Sequence, residues 1–395
     1  MCMKNVVLYT IINLKRYYYL RENNLILNRN DIIFDCFEID NYKGQQFSLC
    51  YFNCSNNDNL YDYQSACAIV KQKEILKEVE LFLNRFNNPF VLSLDNKRYY
   101  SFDCFSKRKY GKKIVKIPLD GPFSCPNRDG SISNTGCVFC YGGSNAFPDI
   151  SQKDLSQQYT LRKAIYDKKW QNYLPYCYFQ SYSNTYGSLN KLKTIYEPFI
   201  DNSEVEGLVI STRSDCLNQE KIDYLNSLCQ YKPIWIELGL QSTYNDTLKQ
   251  MNRGHDFESF LNCIEMLSNT NLFISVHLIN GWPGENIEMM LNNAKIVGRL
   301  PIQAVKFHML HICKNTPLGQ YYQNNPFKLL DKQSYCQLVS QQLCYLKSDI
   351  VIERLTGDSL KEVLLAPDWT IKKVSVLNDI DKEMLKNNYF QGKYF

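Results

Sequence analysis

Cys125, Cys137 and Cys140 lie on one turn-rich stretch that directly follows the strand-like run 113–119. Two residues separate Cys137 from Cys140, so both thiols can face one metal centre from a single tight turn. Eleven residues separate Cys125 from Cys137, and Pro126, Asn127, Asp129, Gly130, Asn134 and Gly136 supply the bends that let the first thiol swing back. No fourth cysteine follows nearby in this run, and no His-x-x-x-His pair exists in the chain. A structural zinc site wants four protein ligands, and iron–sulfur clusters normally take four thiolates. A three-thiolate loop therefore points to a metal cluster with one position left open for a ligand. Zinc is the competing reading, with Cys104 the nearby thiol that would complete it.

The elements that must carry this loop are legible in the hydrophobic pattern. Apolar runs at 114–119, 177–180, 207–212, 234–240, 273–279 and 304–310 read as short buried strands. Segments of helical spacing separate them at 153–171, 189–200, 219–229, 257–267 and 287–297. Strand-then-helix units in series predict a parallel sheet, because parallel neighbours need crossover connections. An open doubly wound sheet and an incomplete barrel both satisfy that order. The polar residues favour the barrel: Gln180 and Asn184, Arg213 and Asp215, Glu237 and Gln241, His277 and Asn280, and His308 and His311 fall at successive strand ends. Barrel active sites are built at the C-terminal ends of the strands.

Three regions are expected. Residues 1–96 form an N-terminal extension, rich in Asn and Tyr, with an amphipathic helical stretch at 63–86. Its Cys36, Cys50, Cys54 and Cys67 read as packing residues, although the spacing of Cys50 and Cys54 also allows metal binding. Residues 97–330 form the barrel. Residues 331–395 form a C-terminal α/β segment packing on it, with a helix at 332–346, a strand at 350–355 and a helix at 373–386.

Composition narrows the class. The chain has 395 residues, 45% hydrophobic and 14% aromatic, which is ample for a folded core and unlike a disordered chain. The formal charge of +5 permits contact with RNA without demanding it. The apolar run 6–12 is too short to span a bilayer, and no other stretch reaches that length, so no membrane is expected. Sixteen cysteines scattered through apolar segments fit a reducing, cytoplasmic setting better than a disulfide framework.

The cysteine loop and the strand ends resemble those of radical S-adenosylmethionine (SAM) enzymes, in particular the uncharacterised YhcC-like group. That group is related to the radical SAM subunit of Elongator and to the oxygen-independent coproporphyrinogen dehydrogenases. The matching text includes Pro118-Leu-Asp-Gly-Pro-Phe-Ser-Cys-Pro-Asn-Arg-Asp-Gly, Phe179-Gln-Ser-Tyr-Ser-Asn-Thr, Ser211-Thr-Arg-Ser-Asp-Cys, Glu237-Leu-Gly-Leu-Gln-Ser, Asn252-Arg-Gly-His-Asp, His277-Leu-Ile-Asn-Gly-Trp-Pro-Gly-Glu, Lys306-Phe-His-Met-Leu-His and Glu353-Arg-Leu-Thr-Gly-Asp. The resemblance implies a partial (β/α)6 TIM-type barrel, a 4Fe-4S cluster held by Cys125, Cys137 and Cys140, and SAM chelating the open iron. Phe139 would shield the cluster and approach the adenine. Gln180 and Asn184 stand where relatives carry a Gly-Gly-Glu run for the SAM amino group, which this chain lacks. Arg213, Asp215, Glu237 and Gln241 would serve the carboxylate and ribose. His277 is placed among the same contacts, and the turn from Gly281 to Glu285 would pass beside the adenine. A one-electron reductant such as flavodoxin or ferredoxin is implied as partner. The substrate is either a nucleic-acid base, with RNA as the larger partner, or a small metabolite.

Blander roles compete for several of these residues. His277, His308 and His311 sit on or beside apolar runs, where a lone histidine is more often a hydrogen-bonded core residue than a catalyst. The basic run Lys107-Arg108-Lys109 reads as a solvated face before it reads as an RNA contact. Cys313 reads as packing, and Asp368 and Trp369 as a cap on the barrel.

Overall fold

The computed structural model describes residues 33–42 and 45–53 as strands, and residues 88–95, 97–141, 148–357 and 359–395. The chain divides into two compact units, Met1–Asn88 and Pro89–Phe395. In the first, β1 (Ile33–Tyr42) and β2 (Gln45–Asn53) pair antiparallel with Phe37 opposite Leu49. The helical stretch expected at 63–86 and the side chains of Cys36, Cys50, Cys54 and Cys67 lie outside the described residues.

The second unit begins with α1 (Phe102–Tyr110), which starts where the Ser101 side chain accepts from the Cys104 amide and stops at Gly111 in a left-handed conformation. Then strands and helices alternate: β3 (Lys113–Leu119), α2 (Pro148–Ser151), α3 (Leu155–Asp167), β4 (Tyr173–Phe179), α4 (Leu189–Asp201), β5 (Gly207–Thr212), α5 (Gln219–Leu228), β6 (Ile234–Gln241), α6 (Asn245–Gln250), α7 (Phe257–Ser268), β7 (Phe273–Asn280), α8 (Ile287–Val297) and β8 (Ala304–Met309). After β9 (Ile312–Cys313) and α9 (Pro317–Asn324) come α10 (Lys332–Cys344), β10 (Val351–Arg354), β11 (Leu364–Ala366) and α11 (Lys373–Lys386). Asp154, Ser188, Asn218, Asp256, Asn286, Thr316 and Asp331 cap the helices they precede with side-chain oxygens, so a polar residue marks each of these entries.

The main sheet has the order β10-β8-β7-β6-β5-β4-β3, every pair parallel, and curls into a half-barrel. The six strands expected from sequence are joined by a seventh: the short run expected in the C-terminal segment pairs with β8, Val351 opposite Ala304. Four residues bounded by an exposed loop carry too little periodicity to announce a barrel strand. The same segment completes the core. Tyr335, Val339 and Leu343 of α10 and Val376, Ile380 and Met384 of α11 pack with the outward faces of the strands, and Asn280 and Gln342 exchange two amide hydrogen bonds of 2.7 and 2.9 Å.

Alternation along each strand divides the interior. Cys177, Phe179, Leu208, Ile210, Ile236, Leu238, Leu240, Val276, Leu278, Val305 and Phe307 face the helices and are at most 1% exposed. Their neighbours face the concave side. Near the strand starts that side is closed by aromatics: Phe105 and Phe102 of α1 meet Trp235 edge-on at 5.5 and 5.7 Å, and Trp235 stacks on Phe273 at 4.6 Å. Thus α1 plugs the base of the half-barrel, fixed by the Ile352 amide donating to Tyr100 O. Toward the strand ends, Tyr178, Ser211, Gly239, Gln241, His277 and His308 on the concave side stay half-buried while the convex side is sealed. The open end of the half-barrel is the end that carries the cysteine loop.

Candidate active site: a three-thiol loop above a charged chamber

The loop is a knot of turns anchored to the sheet. Cys125 O accepts from the amides of Arg128 and Asp129 at 2.8 and 3.1 Å, Pro126 O from Ile132 at 2.8 Å, and Asn127 O from Gly136 at 2.6 Å. Gly130 and Gly136 carry φ of +93° and +74°, conformations that favour glycine. The segment after α6 clasps this knot. Met251 O accepts from the Val138 amide at 3.1 Å, and Asn252 Nδ2 donates to Gly136 O at 2.7 Å. Cys137 is buried, while Cys125 and Cys140 are partly exposed.

Each thiol sulfur has a polar neighbour. Arg253 Nη1 donates to Cys137 Sγ at 3.0 Å, Asn127 Nδ2 reaches the same sulfur at 3.5 Å, Arg128 Nη1 reaches Cys140 Sγ at 3.5 Å, and Ser183 Oγ lies 3.8 Å from Cys125 Sγ. Among the described residues, no three His, Cys, Asp or Glu side chains form a group able to hold one metal ion. Cys104 does not complete a zinc site here: it sits on α1 at the plugged end, its Sγ donating to Leu92 O at 3.1 Å, with the length of β3 between it and the loop.

At the strand ends beside the loop, several buried polar atoms have no partner among the described residues: Asn127 Oδ1, Asn184 Oδ1, Arg213 Nη1 and Arg253 Nε. Buried polar groups in folded proteins are almost always paired, so this rim is built for a polar ligand bearing both donors and acceptors. An amino acid head group, with its ammonium and carboxylate, matches that mixture. The residues expected to meet it are distributed as follows. Asn184 spends its amide hydrogens on Phe179 O, Ser181 O and Ser211 O at 2.9 to 3.1 Å, which leaves only Oδ1 to accept. Arg213 grips Asp215 in two places at 2.8 and 2.7 Å, which leaves Nη1. Gln241 is held at φ +82° with its amide folded over Gly239, where a Cβ would stand 2.8 Å from it. Gln180 follows β4 on the same rim, half-buried. Phe139 packs edge-on to Trp282 at 6.4 Å, linking the cysteine loop to the turn that begins at Gly281, whose φ is +92°. Ser242 and Asn293 hold the Glu285 carboxylate at the end of that turn.

Glu237 and His277 lie deeper. Glu237 is fully buried and accepts from Lys116 Nζ (2.8 Å), Tyr178 Oη (2.8 Å), Ser211 Oγ (2.9 Å) and Lys306 Nζ, with His277 Nε2 at 3.2 Å from its second oxygen. Lys116 also pairs with Glu353, and Lys306 lies 3.6 Å from it. Burial alone would raise the Glu237 carboxyl, but the two ammonium groups hold it well below its usual range. Both oxygens of Glu237 are thus engaged within the chain, so it forms the floor of the chamber rather than a free ribose acceptor. Burial pushes His277 and His308 down, with rings 5.4 Å apart, so both are neutral near pH 7. His311 packs instead against Gly357, where a Cβ would lie 2.2 Å from its ring. Sequence reasoning missed Lys116, Tyr178, Lys306, Glu353 and Arg253. A signal existed for the lysines, since each interrupts an apolar strand run at an inward-facing position.

Comparison with known proteins agrees with this architecture. Residues 130–296 match the model for the radical SAM superfamily, and residues 302–386 the model for the radical SAM C-terminal domain. "Uncharacterized protein YtqA" of Bacillus subtilis (strain 168) is 36% identical over 310 residues, 78% of this chain and 96% of that protein. "Protein YhcC" of Escherichia coli (strain K12) is 29% identical over 279 residues, 70% of this chain and 88% of that protein. A solved structure, the archaeal Methanocaldococcus infernus Elp3 with an N-terminal deletion, is similar with a TM-score of 0.54 at 16% identity, covering 71% of this chain and 64% of that one, a likeness of fold. A relative matched over almost its whole length, and a family model that reaches from the cysteine loop to α8, make this chain a member of the radical SAM superfamily, whose members are enzymes.

Proposed function

We propose that the protein is a radical SAM enzyme that holds a 4Fe-4S cluster on Cys125, Cys137 and Cys140 and reductively cleaves SAM to act on a substrate in the half-barrel. The observation that carries this reading is a loop of three thiols, each with a polar donor near its sulfur, beside a rim of unpaired buried polar atoms. Cys125, Cys137 and Cys140 would hold the cluster, which would supply the one-electron reduction that SAM cleavage requires.

The chain's own residues bind, orient and exclude water. Arg213 Nη1 would meet the SAM carboxylate, and the Oδ1 atoms of Asn184 and Asn127 would accept from its ammonium. Gln180 and Gln241 stand on the same rim for the ribose, and Phe139 with Trp282 supplies an apolar wall. The aromatic plug below and the helices outside keep solvent from the chamber, which a reactive radical requires. A small one-electron carrier of the flavodoxin or ferredoxin type would serve as reductant, in a reducing compartment such as the cytoplasm. The chamber floor carries two carboxylates and two ammonium groups, which suits a polar substrate, either a nucleic-acid base or a small metabolite. Among the described residues no helix is long and apolar enough to cross a membrane.

The test is anaerobic reconstitution with iron and sulfide, followed by SAM and dithionite. The wild-type protein is expected to bind about four irons per chain and to form 5′-deoxyadenosine, and Cys137→Ala to form none. One zinc per chain without iron, or equal turnover by the variant, would overturn the reading. Offering RNA and small-molecule fractions of a cell extract separately, and following the coupling of SAM cleavage, then selects the substrate class.

A further inference from the structure

Arg253 belongs to the block Asn252-Arg253-Gly254, to which sequence alone assigns no role, yet its side chain contacts the cysteine loop at Cys137. Its flanking residues are both left-handed, Asn252 at φ +52° and Gly254 at φ +70°. This double reversal, with the Asn252 side chain and carbonyl tied to Gly136 O and Asn127 Nδ2, leaves the Arg253 side chain one direction to take, into the protein. There it is 6% exposed. Nη2 donates to Gly239 O at the end of β6 and lies 3.1 Å from His255 Nε2, while Nη1 donates to Cys137 Sγ at 3.0 Å. Cys137 is the most buried of the three thiols of the loop. A cation this deep normally pairs with a carboxylate, but among the described residues its partners are a carbonyl, an imidazole and a sulfur. Of these three, the Cys137 sulfur is the one that a bound cluster would make anionic.

We propose that Arg253 is a positioning residue that sets the reduction potential of the cluster by donating a charge-assisted hydrogen bond to the Cys137 thiolate. The claim rests on the cluster reading given above and adds to it. Reduction puts one more negative charge on a centre whose ligand sulfur is already held by a buried guanidinium, so the contact favours the reduced state. Loss of the contact shifts the potential downward. The guanidinium does this where lysine cannot, because one planar fork reaches the Gly239 carbonyl and the sulfur at once.

The experiment uses the full chain, reconstituted anaerobically as wild type, Arg253→Lys and Arg253→Met. The midpoint is read by redox titration followed by electron paramagnetic resonance. Pulsed resonance in H2O and D2O reads any exchangeable proton coupled to the reduced cluster. We expect a more negative midpoint in both variants, further in Arg253→Met, with loss of the strongest exchangeable coupling. A fully iron-loaded Arg253→Met with wild-type midpoint and coupling overturns the proposal. Should that variant retain no iron, Arg253→Lys decides, and an unchanged midpoint there overturns it equally. Wild-type protein that takes up no iron sinks the cluster reading itself, an outcome separate from failure of the Arg253 role.

Discussion

At the scale of single residues, the chamber floor is held by opposed charges, with Glu237 fully buried and Lys116 the most exposed at 15%. Glu237 is the hub, so its removal leaves Lys116 and Lys306 with one carboxylate, Glu353, between them. Stranding a buried charge typically costs about 3–5 kcal/mol. Glu237→Ala is accordingly expected to lower stability by that order in urea unfolding, and a loss under about 1 kcal/mol would mean the lysines find solvent instead. The histidines make a second prediction. Burial lowers His308 well below the ordinary value of 6.5, and burial, helped by Lys373, takes His311 to about 4. A group whose folded pKa is depressed contributes stability that is complete above its unfolded value and fades as pH falls toward the folded one. Unfolding midpoints should therefore drop as pH falls from 7 toward 5, before the carboxylates matter. His308→Gln should flatten that slope, and a midpoint that rises on acidification would contradict the account.

At the scale of elements, the segment after α6 is the fastener between sheet and loop. Gly254 marks the tightest point, for a Cβ there would stand 2.8 Å from Ile132 Cγ2 and 3.0 Å from Asn127 Oδ1, in a backbone conformation that costs other residues about 1–2 kcal/mol. Gly254→Ala is predicted to reduce stability by at least that amount and to lose iron faster in a chelator challenge, and wild-type behaviour in both would show the clasp to be slack. The strands and helices of the barrel were legible because their apolar runs are bounded by capping residues and alternate without interruption from 113 to 309. The three-cysteine loop stands out in the sequence because the spacing of its thiols is local. What stayed hidden is long-range. Lys116 and Lys306 meet Glu237 only when β3, β6 and β8 curl around one axis, and nothing near Val351 says that four residues will extend the sheet next to β8. The plug α1 escaped for a related reason: its Phe102 and Phe105 face aromatics on β6 and β7, more than 120 residues downstream.

At the scale of the whole molecule, the unit Pro89–Phe395 contains every element of the candidate site and closes on itself through its two ends. Gln391 receives the Tyr100 amide at 2.8 Å and donates to Lys347 O and Ile350 O at 2.6 and 2.7 Å, while its own amide donates to Arg98 O. One buried amide thereby ties the chain's last turn to the entry of α1 and to the loop before β10. Two outcomes follow from this closure. Protein lacking residues 1–88 is expected to fold, take up iron and cleave SAM at a rate within about twofold of the full chain, since every residue named above for the candidate site lies in the unit Pro89–Phe395. Protein ending at residue 386 should be destabilised by several kcal/mol, because it removes the partner of the Tyr100 amide and of the Ile350 carbonyl at about 1–3 kcal/mol each. Circular dichroism melts and iron counts on both truncations check this order, and a greater loss on removing residues 1–88 than on removing 387–395 would overturn it.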